Sequence, residues 1–323
     1  MIPFTKLLIM QILFRHTLAT LTVLAATQAY AFELSHSAGQ LQLPAPPTKI
    51  VCYDLAALDT LNALDIPVVG VPKSSYEGKL SKYNQVTIVG SLFEPSFTTL
   101  EKIKPDLIIA GGRSSKALPE LNKIAPAVSF DSDRTSFLES FKTTNLAIGR
   151  AFGKEAQAKQ ALAGIQKNLD ELHRINQGKT GAFLFAINGN VMAHAPGDRF
   201  GYAYELAGLT SVLPAKDSNA PAEPRAAAGS EEAKAQAARR AQVIESIANA
   251  NPDWLIVLDR GAINGGKKTA ADTLAKHPHL SQTQAYKEGR VYYVDPNGWY
   301  IVGGGLDNMK SISEQMLSAM KQK

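Results

Sequence analysis

From Lys49 to Phe130 short, nearly continuous apolar runs alternate with amphipathic stretches of helical period. IVCYDL is followed by Leu58, Leu61 and Leu64 at helical spacing, then by VVGV, VTIVG, a helix in SFTTLEKI ahead of Pro105, LIIAG, a helix in SKALPELNKI, and AVSF. That order predicts a parallel sheet with helices on both faces. The runs lack a strict apolar-polar alternation, as expected of strands buried on both sides. A second alternation starts at Gly181 with AFLFAI, the turn Asn188-Gly189-Asn190, VMAH, a helix in YAYELAGL, another over 243–250, LIVLD, VYYVD, and a closing helix from about Leu306 to Met320. Between the two, residues 136–175 read as mostly helical with an interruption at Gly153, and 136–152 is long enough to cross between lobes. The expected fold is α/β, with two Rossmann-like lobes built on parallel sheets and joined by a long interlobe helix. The lobes span 32–135 and 177–323, with 136–176 as connector.

Residues 1–31 carry Lys6 and Arg15, no acid, the apolar run 18–26, and the ending Ala29-Tyr30-Ala31. This pattern predicts a cleavable secretory signal, since the apolar run is too short for a membrane span. No cysteine follows the small-residue site directly, so a lipid anchor is not expected and the mature chain is placed free in the periplasm. Removing two positive charges takes the formal charge from +5 to 5 − 2 = +3. The basic residues are dispersed and not interleaved with aromatics, which argues against a nucleic-acid partner. Cys52, the single cysteine, lies in an apolar run and is expected to be buried as a small hydrophobe.

Residues 220–242 differ in composition from their surroundings. After a Pro-containing lead, Ser230 is placed to cap a helix, Glu231 and Glu232 suit its positive end, and the alanines favour it strongly. We expect a solvated helical insertion; the alternative is a lid that brings Arg239 or Arg240 to a ligand.

Candidate chemistry comes from three isolated arginines. Arg113, Arg199 and Arg260 follow LIIAGGR, VMAHAPGDR and LIVLDR, so each closes a strand or the turn after one, where α/β sheets hold ligands. Arg113 belongs to the first lobe and the other two to the second. Guanidinium groups from both sides of an interlobe cleft suit a large anion. The run Gly298-Trp299-Tyr300-Ile301-Val302-Gly303-Gly304-Gly305 adds a phenol and a tight turn. A GxGxxG fingerprint after a strand, GxSxG, HExxH and paired CxxC are all absent from the sequence, and no nucleophile and base are visible as a pair. A binding protein is expected, not an enzyme.

The stretches KIVCYDLAALDTLNALDIPVVGVPKS, VGSLFEPSFTTLEKIKPDLIIAGGRSSK, PGDRFGYAYELAGL, NPDWLIVLDRG and GRVYYVDPNGWYIVGGGLDNMKS resemble, in order, the periplasmic siderophore-binding proteins of iron ABC importers, especially the catecholate branch. The resemblance implies a class III periplasmic binding protein fold and a monomer. It places Arg113, Arg199 and Arg260 around catecholate oxygens, with Trp299 and Tyr300 beside them. It implies no intrinsic cofactor, iron(III) arriving only as the siderophore complex, with Tyr300 able to offer a phenolate to that iron. Relatives of this kind also use a histidine in the loop where this chain has its Ala-rich insertion, so His194 is the remaining, weaker candidate ligand. Glu94 and Glu205, one per lobe, match acids that dock on the inner-membrane ABC permease. Hydroxamate siderophores, haem, cobalamin, or a variant weakened by its replaced loop remain alternatives on sequence alone.

Overall fold

A computed structural model describes residues 32–217, 223–224 and 226–323. The expected signal sequence and residues 218–222 and 225 of the second lobe lie outside the described residues.

The N-terminal sheet is fully parallel. Strands β3 (Ile50–Cys52), β4 (Gly70–Val71), β5 (Thr87–Ile88), β6 (Leu107–Ala110) and β7 (Ala127–Ser129) lie in the order β5-β4-β3-β6-β7. Every residue of β6 is fully buried, which explains a run with no polar position. The order reverses between β3 and β6, and the carboxyl ends of those strands open a crevice. Ahead of this sheet, β1 (Phe32–His36) and β2 (Gly39–Leu43) form an antiparallel hairpin that the sequence reading did not anticipate. Phe32 meets Phe152 edge-on at 5.0 Å, tying the hairpin to the connector.

In the C-terminal lobe β8 (Thr180–Ile187), β10 (Thr210–Ser211), β11 (Trp254–Asp259) and β12 (Val291–Tyr293) are parallel in the order β10-β8-β11-β12. The departure from an all-parallel sheet is β9 (Asn190–His194), which pairs antiparallel with β8. Its cause is local: Asn188 and Gly189 both have positive φ, 51° and 75°, and a two-residue turn of that kind joins only antiparallel strands.

The helices are α1 (Leu55–Ala63), α2 (Phe97–Ile103), α3 (Leu118–Leu121), α4 (Phe137–Ala151), α5 (Glu155–Ile175), α6 (Tyr202–Ala207), α7 (Glu231–Ala250), α8 (Ala270–Ala275), α9 (Gln284–Lys287) and α10 (Leu306–Lys321). The stretch expected as one helix in SKALPELNKI divides into a 3-10 turn and the short α3, with Pro119 in its first turn. The connector is α4 and α5, broken at Gly153, whose φ is +66°. Helix α5 packs along α10, and α4 packs against α1, α5 and α6. One core cluster therefore runs through both lobes, from Ile50 and Leu58 through Ile148 and Leu172 to Phe183 and Met316. Each sheet's outer face has a separate core.

Carboxylates bridge between elements at two helix starts. Helix α10 begins after Gly305, which has no side chain to cap it, and Asp59 of α1 accepts from the Asn308 amide at 2.9 Å instead. Glu205 of α6 accepts from the amides of Phe137 at 3.1 Å and Leu138 at 3.3 Å, the first residues of α4. Lys79 joins Asp307 at 2.6 Å near the first of these. Burial raises the Asp59 carboxyl to about 7 against the pull of the Asn308 amide.

Gly305 has φ +82° and ψ 158°, a region open only to glycine, and a Cβ there would lie 2.5 Å from the Asp59 Cβ and 2.6 Å from the Ala56 carbonyl. Gly303 is left-handed too, but the nearest atom to an added Cβ is 3.8 Å away. Urea denaturation of Gly305→Ala is expected to show a loss of roughly 3 kcal/mol or more. Gly303→Ala is expected to cost only about 1–2 kcal/mol, for the left-handed backbone alone.

Candidate functional site

Residues Gly298–Val302 form a π-type turn rather than a strand or an ordinary helix. Its start is clamped: Gly298 N donates to Asp295 Oδ2 at 2.9 Å and Gly298 O accepts from Asn308 Nδ2 at 3.0 Å, leaving no room for a Cβ. The wide turn leaves the Tyr300 and Ile301 carbonyls free of helical partners and open to guanidinium donors. Arg113 donates through Nη2 to Tyr300 O at 2.7 Å and through Nη1 to Ile301 O at 3.2 Å. Arg199 Nη2 donates to the same Tyr300 carbonyl at 2.9 Å. The Arg199 guanidinium carbon stands 4.3 Å from the centre of the Tyr300 ring, and that of Arg260 4.8 Å. Two lobes thus place three positive groups around one residue, two of them at its ring.

Each arginine is held by its local chain. Arg113 follows Gly111, whose amide donates to Ser114 Oγ in a closed turn. That turn lies against Asp54, which caps α1 by accepting from Ala56 and Ala57. Arg199 precedes Phe200, a buried ring stacked on Phe183 at 5.4 Å and Phe185 at 5.9 Å, so the chain is anchored next to the exposed guanidinium. Arg260 opens the loop after β11. The Asp259 carboxylate fixes that loop by accepting from the amides of Gly261, Thr269 and Ala270.

The cleft between the lobes measures about 1090 Å³, and Arg113, Arg199, Tyr300 and Phe93 are among its walls. Arg260 stands at the Tyr300 ring outside that lining. Burial raises the Tyr300 phenol, but the guanidinium groups of Arg199 and Arg260 outweigh it and hold the group below its ordinary value. Burial, and then the charge of Arg199, lower Arg113. Like charges are being held together here, a state an incoming anion relieves.

Two candidates are placed differently from the sequence reading. Trp299 borders the cleft but is 1% exposed, stacked on Tyr202 at 5.2 Å, so it supports the floor and presents no surface to a ligand. Neighbours on a wide turn point to different sides, which no periodicity in the sequence reveals. His194 meets Phe200 edge-on at 5.0 Å and is not part of the cleft lining; burial lowers it to about 4, leaving a neutral packing group. Glu94 is exposed. Glu205 is half-buried, its carboxylate engaged by the first turn of α4. Helix α7 packs on β9 and on the 3-10 turn at Leu280–Gln282. Ser230 caps it as expected, accepting from Ala233 N at 3.1 Å, and Arg239 pairs with Glu223 and Glu232. Neither Arg239 nor Arg240 is among the residues that line the cleft.

The sequence reading passed over Arg134. It lies in the cleft wall just past β7, within Asp131-Ser132-Asp133-Arg134. The same rule that identified Arg113, a residue beyond a strand's carboxyl end, could have found it; its acidic neighbours concealed it.

A spectrophotometric titration is expected to show one tyrosine ionising below the ordinary value of about 10. Tyr300→Phe removes that component and Arg199→Ala moves it upward. Stability carries a second signature. The unfolded chain protonates His194 near the ordinary value of about 6.5, while the folded protein resists until about 4. The contribution of neutral His194 is complete above the upper value and is lost as pH falls through the lower one. His194→Phe is expected to flatten that window in acid denaturation.

A family model described as periplasmic binding protein matches residues 50–297. The petrobactin-binding protein YclQ of Bacillus subtilis is 31% identical over 287 residues, covering 87% of this chain and 85% of that protein. The ferric-anguibactin-binding protein FatB of Vibrio anguillarum is 27% identical over 295 residues, covering 88% and 86%. Among solved structures, the periplasmic catecholate-siderophore-binding protein VctP from Vibrio cholerae superposes with a TM-score of 0.72 at 27% identity, over 90% of this chain and 99% of that one. With the model matching more than half of its length, on a fold of two α/β lobes around one cleft, the chain belongs to the periplasmic binding protein family.

Proposed function

We propose that this protein captures a ferric catecholate-type siderophore in the interlobe cleft and presents it to an inner-membrane ABC permease. The observation that carries the reading is the meeting of Arg113 from one lobe with Arg199 and Arg260 from the other around Tyr300. A ferric catecholate is a multiply charged anion with paired oxygens, and planar forked donors match such pairs. At about 4 Å and an effective dielectric near 20, each guanidinium contributes roughly 4 kcal/mol of attraction before desolvation. The bonds of Arg113 and Arg199 to backbone carbonyls must loosen to give this, which sets part of the cost of binding.

Tyr300 supplies a phenol oxygen in the cleft wall that can ligate iron directly. The flanking guanidinium groups already favour its phenolate, and a hard cation favours it further. Where the chelator fills every iron site, the phenol instead serves as a hydrogen-bonding wall. The names of YclQ, FatB and VctP support iron chelates as the ligand class. Docking on the permease rests mainly on Glu94, because Glu205 would have to share its carboxylate with α4.

Ferric catecholates are expected to quench the intrinsic fluorescence of the protein saturably at submicromolar concentration. Arg113→Ala and Arg199→Ala should each weaken binding about tenfold or more, that is by roughly 1.4 kcal/mol or more, while Arg239→Ala leaves it unchanged. A folded protein whose fluorescence no ferric siderophore quenches saturably would refute the assignment, and saturation by haem or hydroxamates alone would move the ligand class.

A further inference from the structure

Phe93 is 65% exposed, the most exposed large apolar side chain among the described residues, and it borders the cleft shared by Arg113, Arg199 and Tyr300. Other rings along that wall are packed: Phe137 and Tyr202 are buried and stack at 4.3 Å, and Phe200 sits in the aromatic core. Phe93 belongs to none of the core clusters.

Its backbone is nevertheless fixed. Ser91 Oγ accepts from the amides of Phe93 at 3.2 Å and Glu94 at 2.9 Å, and Ser91 N donates to Glu94 O at 2.9 Å. Gly90 bridges to Pro95 with φ +110°, where a Cβ would lie 2.4 Å from Glu94 O and 2.6 Å from Ser96 N, so only glycine closes this turn. Lys73 N donates to Gly90 O at 2.7 Å and Ser96 N to Val89 O at 2.8 Å, fastening both ends to the sheet. A phenyl ring is thus presented to water from a rigid mount beside a cationic cleft. Exposing it costs hydrophobic free energy that the fold itself does not recover.

We propose that Phe93 recognises an aromatic ring of the ligand, packing on it at the cleft mouth while the arginines hold its oxygens, and so selects aryl iron chelates over aliphatic ones. This rests on the proposed function. Aromatic pairs prefer offset or edge-to-face packing, and a ring carried on a fixed backbone gives up only its own rotamer freedom on pairing.

The test uses the full mature protein, with Phe93→Ala and Phe93→Trp, titrated with the ferric complex of catechol and with ferric acetohydroxamate. Phe93→Ala is expected to weaken the catechol complex about tenfold and leave the hydroxamate unchanged. Phe93→Trp is expected to retain the catechol affinity and give a tryptophan signal quenched by that complex. Unchanged melting temperatures show that the fold is intact, as exposure of the ring allows. Equal weakening of both chelates, or none of the catechol complex, overturns the inference and leaves the proposed function standing. Unchanged chelate affinity with lost stimulation of the reconstituted permease would assign the ring to transporter docking, also overturning it. Wild-type protein that binds neither complex would overturn both readings.

Discussion

Three guanidinium groups repel one another, and they stay together here because the backbone of Gly298–Val302 offers them carbonyl oxygens and a phenol face. The turn is wide enough to release those carbonyls from helical pairing and is clamped at its start by Asp295 and Asn308. Remove the clamp and the positive charge has no reason to converge. The gathering of positive charge at the cleft and the lowered phenol both follow from this one piece of main chain.

The lobes around it are coupled more tightly than two domains on a tether. Asp59 and Glu205 each spend a carboxylate on the start of a helix that belongs to another element, and a column of rings runs from Phe137 through Tyr202 to Trp299. The first residue of the connector is therefore in register with the floor of the cleft. Such packing favours small relative movements over wide hinge opening, because opening would expose buried rings and strip partners from helix amides.

Much of this was readable in the residues. LIIA and WLIVLD are apolar throughout because both faces of each sheet are covered, and Arg113 and Arg260 were found because parallel strands send ligand-facing residues to their carboxyl ends. The tertiary decisions were not readable. Trp299 and Tyr300 are neighbours with opposite fates, set by a turn that depends on Asn308 arriving from α10. Glu205 carries a charge like any surface acid until Phe137 is brought beside it. FELSH and GQLQL form a hairpin whose few apolar positions, ahead of the first long apolar run, give only a faint strand pattern. Arg134 lay hidden among acids.

Helix α10 starts on Asp59 of the first lobe and follows directly on the turn that gathers the arginines. The chain therefore writes the turn that gathers its arginines last and fastens the helix after it to a residue made early. An emerging polypeptide contains the residues of its first sheet long before Tyr300 exists, so Arg113 has no Tyr300 carbonyl to meet until the end of the chain is made. Under the proposed function, capture of a ligand would be restricted to chains synthesised to their end.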